Sequence, residues 1–244
     1  GEHAAVIEAV ADQWDTHDVQ VNIALGDGRV LTMFEAGPVH DPTGHDGRPR
    51  VLGAGPLSFE LVEPFRHWRM RLAGTATAIG VADQLAGWFP GGEGTPIPVE
   101  IELDIRGAVP PWEPGSLLDE ARHVLETQEE GALMGGPRFE QLSTVTGRAR
   151  IGDEVHELAG GGLRIRRQGV RQLAEFRGHA WQSALFPDGR AFGYIAYPPR
   201  NDGKPTFAEG YVFDGDGPLV PARVVQAPWL NELQAAGQDV SVVL

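Results

Sequence analysis

The sequence of 244 residues contains no cysteine, few basic residues and no long apolar run. Without cysteine there can be no disulfide framework, no thiolate metal site and no cysteine nucleophile. The chain is then indifferent to the redox state of its compartment, and the cytoplasm is the default expectation. No segment approaches the roughly 18 apolar residues of a membrane-spanning helix, so we expect no membrane partner.

Basic residues are outnumbered by acidic ones, with 20 Lys and Arg against 34 Asp and Glu and a formal net charge of -14. A protein of this charge is repelled by phosphate backbones and anionic lipid surfaces. We therefore expect no nucleic-acid partner. The sequence leaves the oligomeric state open, with a homodimer as one alternative.

Several catalytic and cofactor-binding motifs are absent. The chain has no Gly-x-Ser-x-Gly elbow, no phosphate-binding Gly-Lys-Ser/Thr loop, no His-Glu-x-x-His and no dinucleotide-binding glycine fingerprint between a strand and a helix. Its eight histidines show no metal-like spacing, and Asp214-Gly215-Asp216-Gly217 lacks the later ligands of a calcium loop. The sequence therefore predicts neither a cofactor nor a metal ion.

Glycine and proline, which interrupt helices and strands, are abundant: the chain has 33 Gly and 19 Pro beside 41% hydrophobic residues. This composition disfavours a helical bundle and indicates a turn-rich globular protein. Six Asp-Gly pairs, a frequent hairpin signal, begin at Asp27, Asp46, Asp188, Asp202, Asp214 and Asp216. The fold class that follows is all-β with a few short helices, built as antiparallel barrels or sandwiches.

Apolar and polar residues alternate over 19–25 and 99–106, which predicts half-buried strands, and Gly152-Asp153 predicts a hairpin turn. Helical spacing predicts two amphipathic helices, over 4–14 and from Ser116 to about Glu130. Strands are expected to dominate both halves of the chain.

An internal repeat relates the two halves. His17-Asp-Val-Gln20 leads to Asp27-Gly28-Arg29, and His179-Ala-Trp-Gln182 leads to Asp188-Gly189-Arg190. The two copies lie far apart in the sequence, which indicates two related β units rather than the short repeats of a solenoid. The alternative is a chance match in which the Asp-Gly-Arg segments record only hairpin turns.

Several segments resemble the carotenoid 1,2-hydratase family, also called hydroxyneurosporene synthases. The C-terminal half is similar in Phe139-Glu140-Gln141, Val145-Thr-Gly-Arg-Ala-Arg150, Gly161-Gly-Leu-Arg164 through Gly169-Val-Arg171, and Trp181 before Pro187-Asp188-Gly189. The N-terminal half is similar in Glu63-Pro64-Phe65 and Trp68-Arg69. The resemblance implies two lipocalin-like β domains packed together, at 1–112 and 138–244, joined by a helical connector at 113–137.

One segment departs from that family. Many relatives read Gly-x-Arg-Asp-His-Ser-Trp-Gly-x-Arg-Asp, but Ile165, Arg166 and Gln172 occupy the Asp, His and second Asp positions here. If that Asp-His pair supplies the acid and base in relatives, this chain cannot use it in the same way.

Acid/base chemistry on an apolar molecule needs a titratable group in a dry pocket. The candidates are His179, which shares a strand face with Trp181, and Glu140 in an apolar strand. For both, the alternative is an ordinary structural or solvated side chain.

The only dense basic cluster comprises Arg164, Arg166, Arg167 and Arg171, which could clamp a substrate oxygen. Pairing with Glu on neighbouring strands is the alternative. Further candidates for binding substrate are Trp181, the hydrogen-bond donors Tyr194 and Tyr197, and Trp68, whose spacing also fits the core.

Two functions follow. The first is a cofactor-independent enzyme that holds a hydrophobic terpenoid, polyketide or steroid-like molecule in a barrel cavity. The resemblance implies hydration or dehydration, isomerisation or cyclisation, with His179, Glu140 and Arg164 as catalytic candidates. The second is a non-catalytic lipocalin-like carrier of such a ligand.

Overall fold

The computed structural model describes residues 4–9, 15–87, 93–170, 174, 176–230 and 237–244. These residues form mostly antiparallel β structure with a few short helices, so the predicted all-β class is confirmed. The strands are Ala4–Ala9 (β1), Thr16–Ala24 (β2), Arg29–Pro38 (β3), Val51–Ala54 (β4), Leu57–Glu63 (β5), His67–Gly80 (β6), Thr95–Gly107 (β7), Arg138–Ile151 (β8), Glu154–Arg167 (β9), Ala180–Leu185 (β10), Ala191–Ala196 (β11), Ala208–Phe213 (β12) and Val220–Ala222 (β13). The helices are Val81–Leu85 (α1), Asp119–Leu125 (α2) and Gln128–Met134 (α3).

The prediction of an N-terminal helix over 4–14 is wrong for residues 4–9, the part of that segment that the structure describes. Ala4–Ala9 is a strand that pairs antiparallel with β2, with Ile7 opposite Val19; residues 10–14 lie outside the described part. Pairing along a neighbouring strand satisfies the backbone of β1 and outweighs a weak helical periodicity.

The single helix predicted from Ser116 to Glu130 is two helices, α2 and α3. The N-cap of α2 is Leu118 rather than Ser116. The side chain of Thr127 accepts a bond from the backbone N–H of Glu130 and starts α3, which ends at Gly135 in a left-handed conformation (φ 77°). Thr127 divides the helix because its short polar side chain competes for backbone groups.

The strands form two open sheets. The larger has nine strands in the order β1-β2-β3-β6-β7-β8-β9, with β5 pairing β6 and β4 pairing β5. The smaller has the order β10-β11-β12-β13. Because β1 and β9 are the two ends of the larger order, that sheet is not a closed barrel.

Contacts divide the chain into two compact units that interleave in sequence. Unit 1 comprises Gly1–Arg106 and Val145–Gly160, and unit 2 comprises Gly107–Thr144 and Gly161–Leu244. The hairpin of β8 and β9 therefore contributes its turn end to unit 1 and its open end to unit 2. The predicted domain boundaries at 112 and 137, which assume contiguous segments, stay a prediction.

Each unit has its own apolar core. In unit 1, alternate residues of β2 (Val19, Val21, Ile23) and β7 (Val99, Ile101, Leu103) are buried together, as the alternation predicts, and Ala149 of β8 joins them. In unit 2, Trp112, Leu142, Ile195, Phe207 and Tyr211 belong to one cluster around α2 and α3. Ala180, Tyr194 and Ala196 form a separate cluster with residues of the C-terminal segment.

The repeated Asp-Gly-Arg segments form the same turn. In each, an Asp side chain accepts bonds from the backbone N–H and the guanidinium of the Arg two residues on: Asp27 to Arg29 and Asp188 to Arg190. The glycines of all six Asp-Gly pairs have positive φ, which confirms them as turns. His179 and Asp18 lie at the same distance before the Asp-Gly pair of their turns, and the pairing of β2 with β3 has no bulge that would shift this count. His179 therefore corresponds to Asp18 rather than to His17.

Candidate functional site

A buried carboxyl group, that of Glu140, is the centre of the candidate site in unit 2. Glu140 lies on β8 and is 2% exposed. Its backbone N–H and C=O exchange bonds of 2.8 Å with the backbone of Trp112, which fixes the strand at this point. Since side chains two apart share a face of a strand, Arg138 lies beside Glu140 and forms an ion pair with its Oε1. The signal for this pair was present in the sequence as Arg-x-Glu.

The indole of Trp181 holds the other oxygen of the Glu140 carboxyl. Trp181 is on β10, and its Nε1–H donates to Oε2 of Glu140 at 3.0 Å. The guanidinium of Arg138 stacks over the Trp181 ring, 5.0 Å from its centroid. Glu140, Arg138 and Trp181 therefore form one triad, and the structure joins two predicted site residues directly.

Two further candidates extend this triad through aromatic contacts. The exposed ring of His179, immediately before β10, lies 6.1 Å from that of Trp181 and 5.4 Å from that of Phe176. Phe176 in turn meets Tyr197 edge-on at 6.4 Å. Trp181, His179, Phe176 and Tyr197 thus form an aromatic row in that order, in which His179 is the exposed member.

Burial changes the acidity of the groups at the triad. Burial raises the pKa of the Glu140 carboxyl above its usual range, an effect that the charge of Arg138 and the bond from Trp181 oppose. Burial also raises the pKa of Tyr211 far above its usual range, and the charge of Glu140 adds to the effect. The site therefore favours protons on both groups relative to water.

The Tyr211 ring occupies space that is open because Gly193 has no side chain. Tyr211 on β12 pairs with Gly193 on β11, and a Cβ at Gly193 would lie 2.7 to 2.9 Å from ring and hydroxyl atoms of Tyr211. The ring also packs edge-on against Trp112 with centroids 5.3 Å apart. Neither Tyr211 nor Gly193 stands out in the sequence, because the register that opposes them is a tertiary property.

The predicted arginine cluster does not converge on Glu140 as a whole. Arg164 stacks on the ring of Phe139, 4.8 Å from its centroid, and burial lowers its pKa to about 10, with the charge of Arg166 adding to the effect. Arg166 is exposed and donates to the side chain of Gln168. Arg167 contributes charge at Glu140, and Arg171 lies outside the described residues.

Tyr194 faces the other side of its sheet, and Trp68 belongs to unit 1 rather than unit 2. Tyr194 is next to Ile195 on β11 and faces the opposite side of the sheet, in the cluster with Ala180 and Ala196. Trp68 is buried in β6 of unit 1. The structure thus brings together Glu140, Trp181, His179 and Tyr197, and leaves these two residues elsewhere.

Two other buried carboxylates of unit 2 were not anticipated. Glu209 is fully buried on β12 and accepts four bonds of 2.6 to 3.1 Å, from the indole N–H of Trp112 and the backbone N–H groups of Gly115, Leu117 and Leu118. Glu130 on α3 pairs with Arg177 at 2.9 Å and accepts from the backbone N–H of Phe207. Both carboxylates tie separate segments together, and alternation alone gives no signal for such a role.

Unit 1 contains a shallow groove of about 400 Å³ on its sheet. The groove is lined by charges of both signs, among them Arg69, Arg71, Glu102 and Arg148. Asp104, also in its lining, binds Nε2 of the buried His67 at 2.6 Å. Arg148 pairs with Glu102 at 3.3 Å, so the groove is a network of cross-strand ion pairs rather than an apolar pocket.

The fold and the site define an all-β protein of two compact units, one of which carries a buried Glu-Arg-Trp triad. A family model described as a domain of unknown function, DUF7064, matches residues 9–230. The chain therefore belongs to the DUF7064 family.

No curated protein and no solved structure matches the chain. The resemblance to carotenoid 1,2-hydratases stays a prediction. Within the described part of the chain, no helix is both long and apolar enough to cross a bilayer.

Proposed function

We propose that this protein is a cofactor-independent enzyme that binds a hydrophobic small molecule in unit 2, with Glu140 as its acid. The substrate would be terpenoid, polyketide or steroid-like, and the reaction a hydration or dehydration, an isomerisation or a cyclisation. The observation that carries the proposal is the Glu140 carboxyl, which is 2% exposed among aromatic side chains and bound by Arg138 and Trp181.

The arrangement suits proton transfer to an alkene or carbonyl group. Burial favours the protonated carboxyl before transfer, because a charge in an apolar environment is poorly solvated. After transfer, Arg138 and the indole N–H of Trp181 stabilise the carboxylate that remains. The proton returns to Glu140 when the substrate cation loses a proton or when the added water does.

The residues of the aromatic row have supporting roles in this proposal. Trp181, Phe176 and Tyr197 supply apolar surface for the substrate, and aromatic faces also stabilise a developing positive charge. His179 is the exposed member of the row, where it can exchange protons with solvent. Arg164, on the Phe139 ring, is a candidate to bind a substrate oxygen.

A non-catalytic carrier is the second candidate, and one observation favours it. Arg138 and Trp181 already satisfy both oxygens of the Glu140 carboxyl, as expected of a structural ion pair. The loss of the Asp and His positions at Ile165, Arg166 and Gln172 points the same way.

The test begins with compounds that co-purify with the protein, extracted into organic solvent and identified by mass spectrometry. Each compound and its hydrated, dehydrated or cyclised partner is then offered to wild type and to Glu140→Gln, with turnover and affinity measured together. General acid catalysis contributes about 10²- to 10⁴-fold to a rate, so we expect kcat to fall by at least about 100-fold with little change in affinity.

The control is Glu154→Gln, since Glu154 is exposed and belongs to unit 1, whereas Glu140 belongs to unit 2. It should leave kcat unchanged. Binding by wild type without turnover of any extracted compound would establish the carrier instead, and equal losses of affinity and rate in Glu140→Gln would contradict the acid role.

A further inference from the structure

The face of the four-stranded sheet in unit 2 that carries Tyr194 has small residues at many positions. Across β10 to β13 the register places Ala180, Ala196 and Ala208 in one row, and Gln182, Tyr194, Gly210 and Ala222 in the next. The third row is Ala184, Phe192, Val212 and Val220. Tyr194 therefore lies in the middle row of a largely apolar sheet face, which we call the trough, beside Gly210 on the neighbouring strand.

One end of this trough is covered by the chain's own C-terminal segment, which we call the strap (residues 224–227 and 240–244). Val224, Ala227, Val242 and Leu244 pack on the Tyr194 cluster. The two parts of the strap are joined by a bond of 2.8 Å from the N–H of Val225 to the C=O of Val243. Gln182 at the sheet edge also donates to the C=O of Val240 at 3.0 Å.

The other end of the trough is exposed. Val212 is 36% exposed, Val220 47% and Phe186 45%. The ring of Phe186 lies 6.2 Å from that of Phe192. The exposed row therefore forms a continuous apolar surface that runs from the solvent towards Tyr194.

The hydroxyl of Tyr194 is the unusual feature of this face. Tyr194 is 0% exposed, and its hydroxyl has no hydrogen-bond partner among the described residues. An unpaired buried polar group lowers stability, because it gives up its bonds to water without a replacement. Buried polar groups in native proteins are nearly always paired, and each exception calls for an explanation.

We propose that this face is a second ligand site, for an elongated apolar molecule with one hydrogen-bonding oxygen. The oxygen of the ligand bonds to the Tyr194 hydroxyl, and its apolar body lies along Phe192, Val212 and Val220 towards Phe186. Because the hydroxyl is inaccessible to solvent, the strap must shift when the ligand enters. The site lies on the side of β11 opposite to Ile195 and the Glu140 triad, so it is independent of the proposed function.

The test uses two probes that differ by one oxygen, 2-naphthol and naphthalene, with binding followed by probe fluorescence. We expect wild type to bind 2-naphthol about tenfold more tightly than naphthalene. Tyr194→Phe should abolish this preference and keep the affinity for naphthalene. The control is Tyr197→Phe, immediately after the same strand and in the cluster on its opposite face, which should keep the preference, as should Glu140→Gln.

Thermal unfolding of the ligand-free protein gives a second readout. If the hydroxyl is unpaired, Tyr194→Phe should leave Tm unchanged or raise it, because the substitution removes a buried polar group without a partner. A lower Tm would show that the hydroxyl has a stabilising partner such as a buried water. That result, failure of both probes to bind, or a preference that survives in Tyr194→Phe would overturn the proposal.

Discussion

At the scale of single residues, unit 2 is organised around three buried carboxylates with different partners. Glu140 is held by a guanidinium and an indole, Glu209 by an indole and three backbone N–H groups, and Glu130 by Arg177 and a backbone N–H. The two indoles belong to Trp181 and Trp112. Such groups stabilise the fold only while every partner remains, because a buried charge or donor without a partner is costly.

Replacement of Glu209 by Gln should destabilise the protein strongly. The amide NH₂ would face backbone N–H groups that need an acceptor, so we expect the free energy of unfolding to fall by about 3 kcal/mol. Urea unfolding followed by tryptophan fluorescence measures this change. The matched control is Glu113→Gln, because Glu113 is exposed and lies in the connecting segment that supplies the three backbone N–H groups. A loss as small as that of the control would mean that the four bonds contribute little.

The raised pKa of Glu140 predicts a pH dependence of stability. The folded protein holds the proton of Glu140 more tightly than the unfolded chain does. At a pH between the pKa of the unfolded state and that of the folded state, unfolding therefore releases a proton. The free energy of unfolding of wild type, relative to Glu140→Gln, should therefore decrease from about pH 4.3 upward and level off above the folded pKa. Urea unfolding at intervals of half a pH unit tests this. An increase over that interval would show that the partners of Glu140, not its burial, dominate.

At the scale of elements, the connection between β7 and β8 shows how one side chain divides a helix. The hydroxyl of Thr127 donates to the C=O of Val124 at 2.7 Å and accepts from the N–H of Glu130 at 3.4 Å. It thus ends α2 and begins α3. The division places Glu130 where its carboxylate meets Arg177 and Phe207.

Replacement of Thr127 by Ala should remove this cap. Loss of an N-cap hydroxyl costs about 0.5–2 kcal/mol, and Thr127 is exposed, so little packing is lost with it. Thr127→Ser keeps the hydroxyl and should retain most of the stability. Thermal unfolding of the three proteins measures the difference, and equal Tm values for the Ala and Ser variants would contradict the capping role.

At the scale of the whole molecule, the chain builds two units from segments that alternate in sequence. Unit 1 needs residues 145–160, and Ala149 among them is 2% exposed in its core. The core of unit 1 is therefore incomplete without the turn end of the hairpin of β8 and β9, which follows α3 in the sequence.

A fragment that ends at Arg106 should consequently fail to fold by itself. It lacks β8 and β9, so β7 would become an exposed edge and part of its apolar face would meet water. We expect no cooperative thermal transition by near-UV circular dichroism. Addition of a peptide of residues 138–167 should restore a transition. A cooperative transition of the fragment alone would show that unit 1 is complete without the hairpin.

Local patterns predicted much of the secondary structure. Alternation placed the buried residues Val19, Val21 and Ile23 of β2, and the Asp-Gly pairs placed turns, because period and turn chemistry act between near neighbours. The N-terminal helix failed for the opposite reason, since pairing with β2 is a contact that no local pattern records.

The candidate site was predictable only in part. Glu140, Trp181 and His179 were recognised as titratable or aromatic groups on apolar strands, but their partners were not. Arg138 could have been found from its spacing to Glu140, whereas Tyr211 and Glu209 could not, because nothing local distinguishes them from surface residues.

The sequence by itself determined the all-β class, the turns and the absence of cysteine chemistry, because composition and short-range spacing suffice for these. Only the tertiary structure decided that Trp181 binds Glu140 across 41 residues, that Gly193 leaves room for Tyr211, and that Tyr194 faces away from both. Strand register set these contacts. A shift by one residue would turn each side chain to the other face of its sheet.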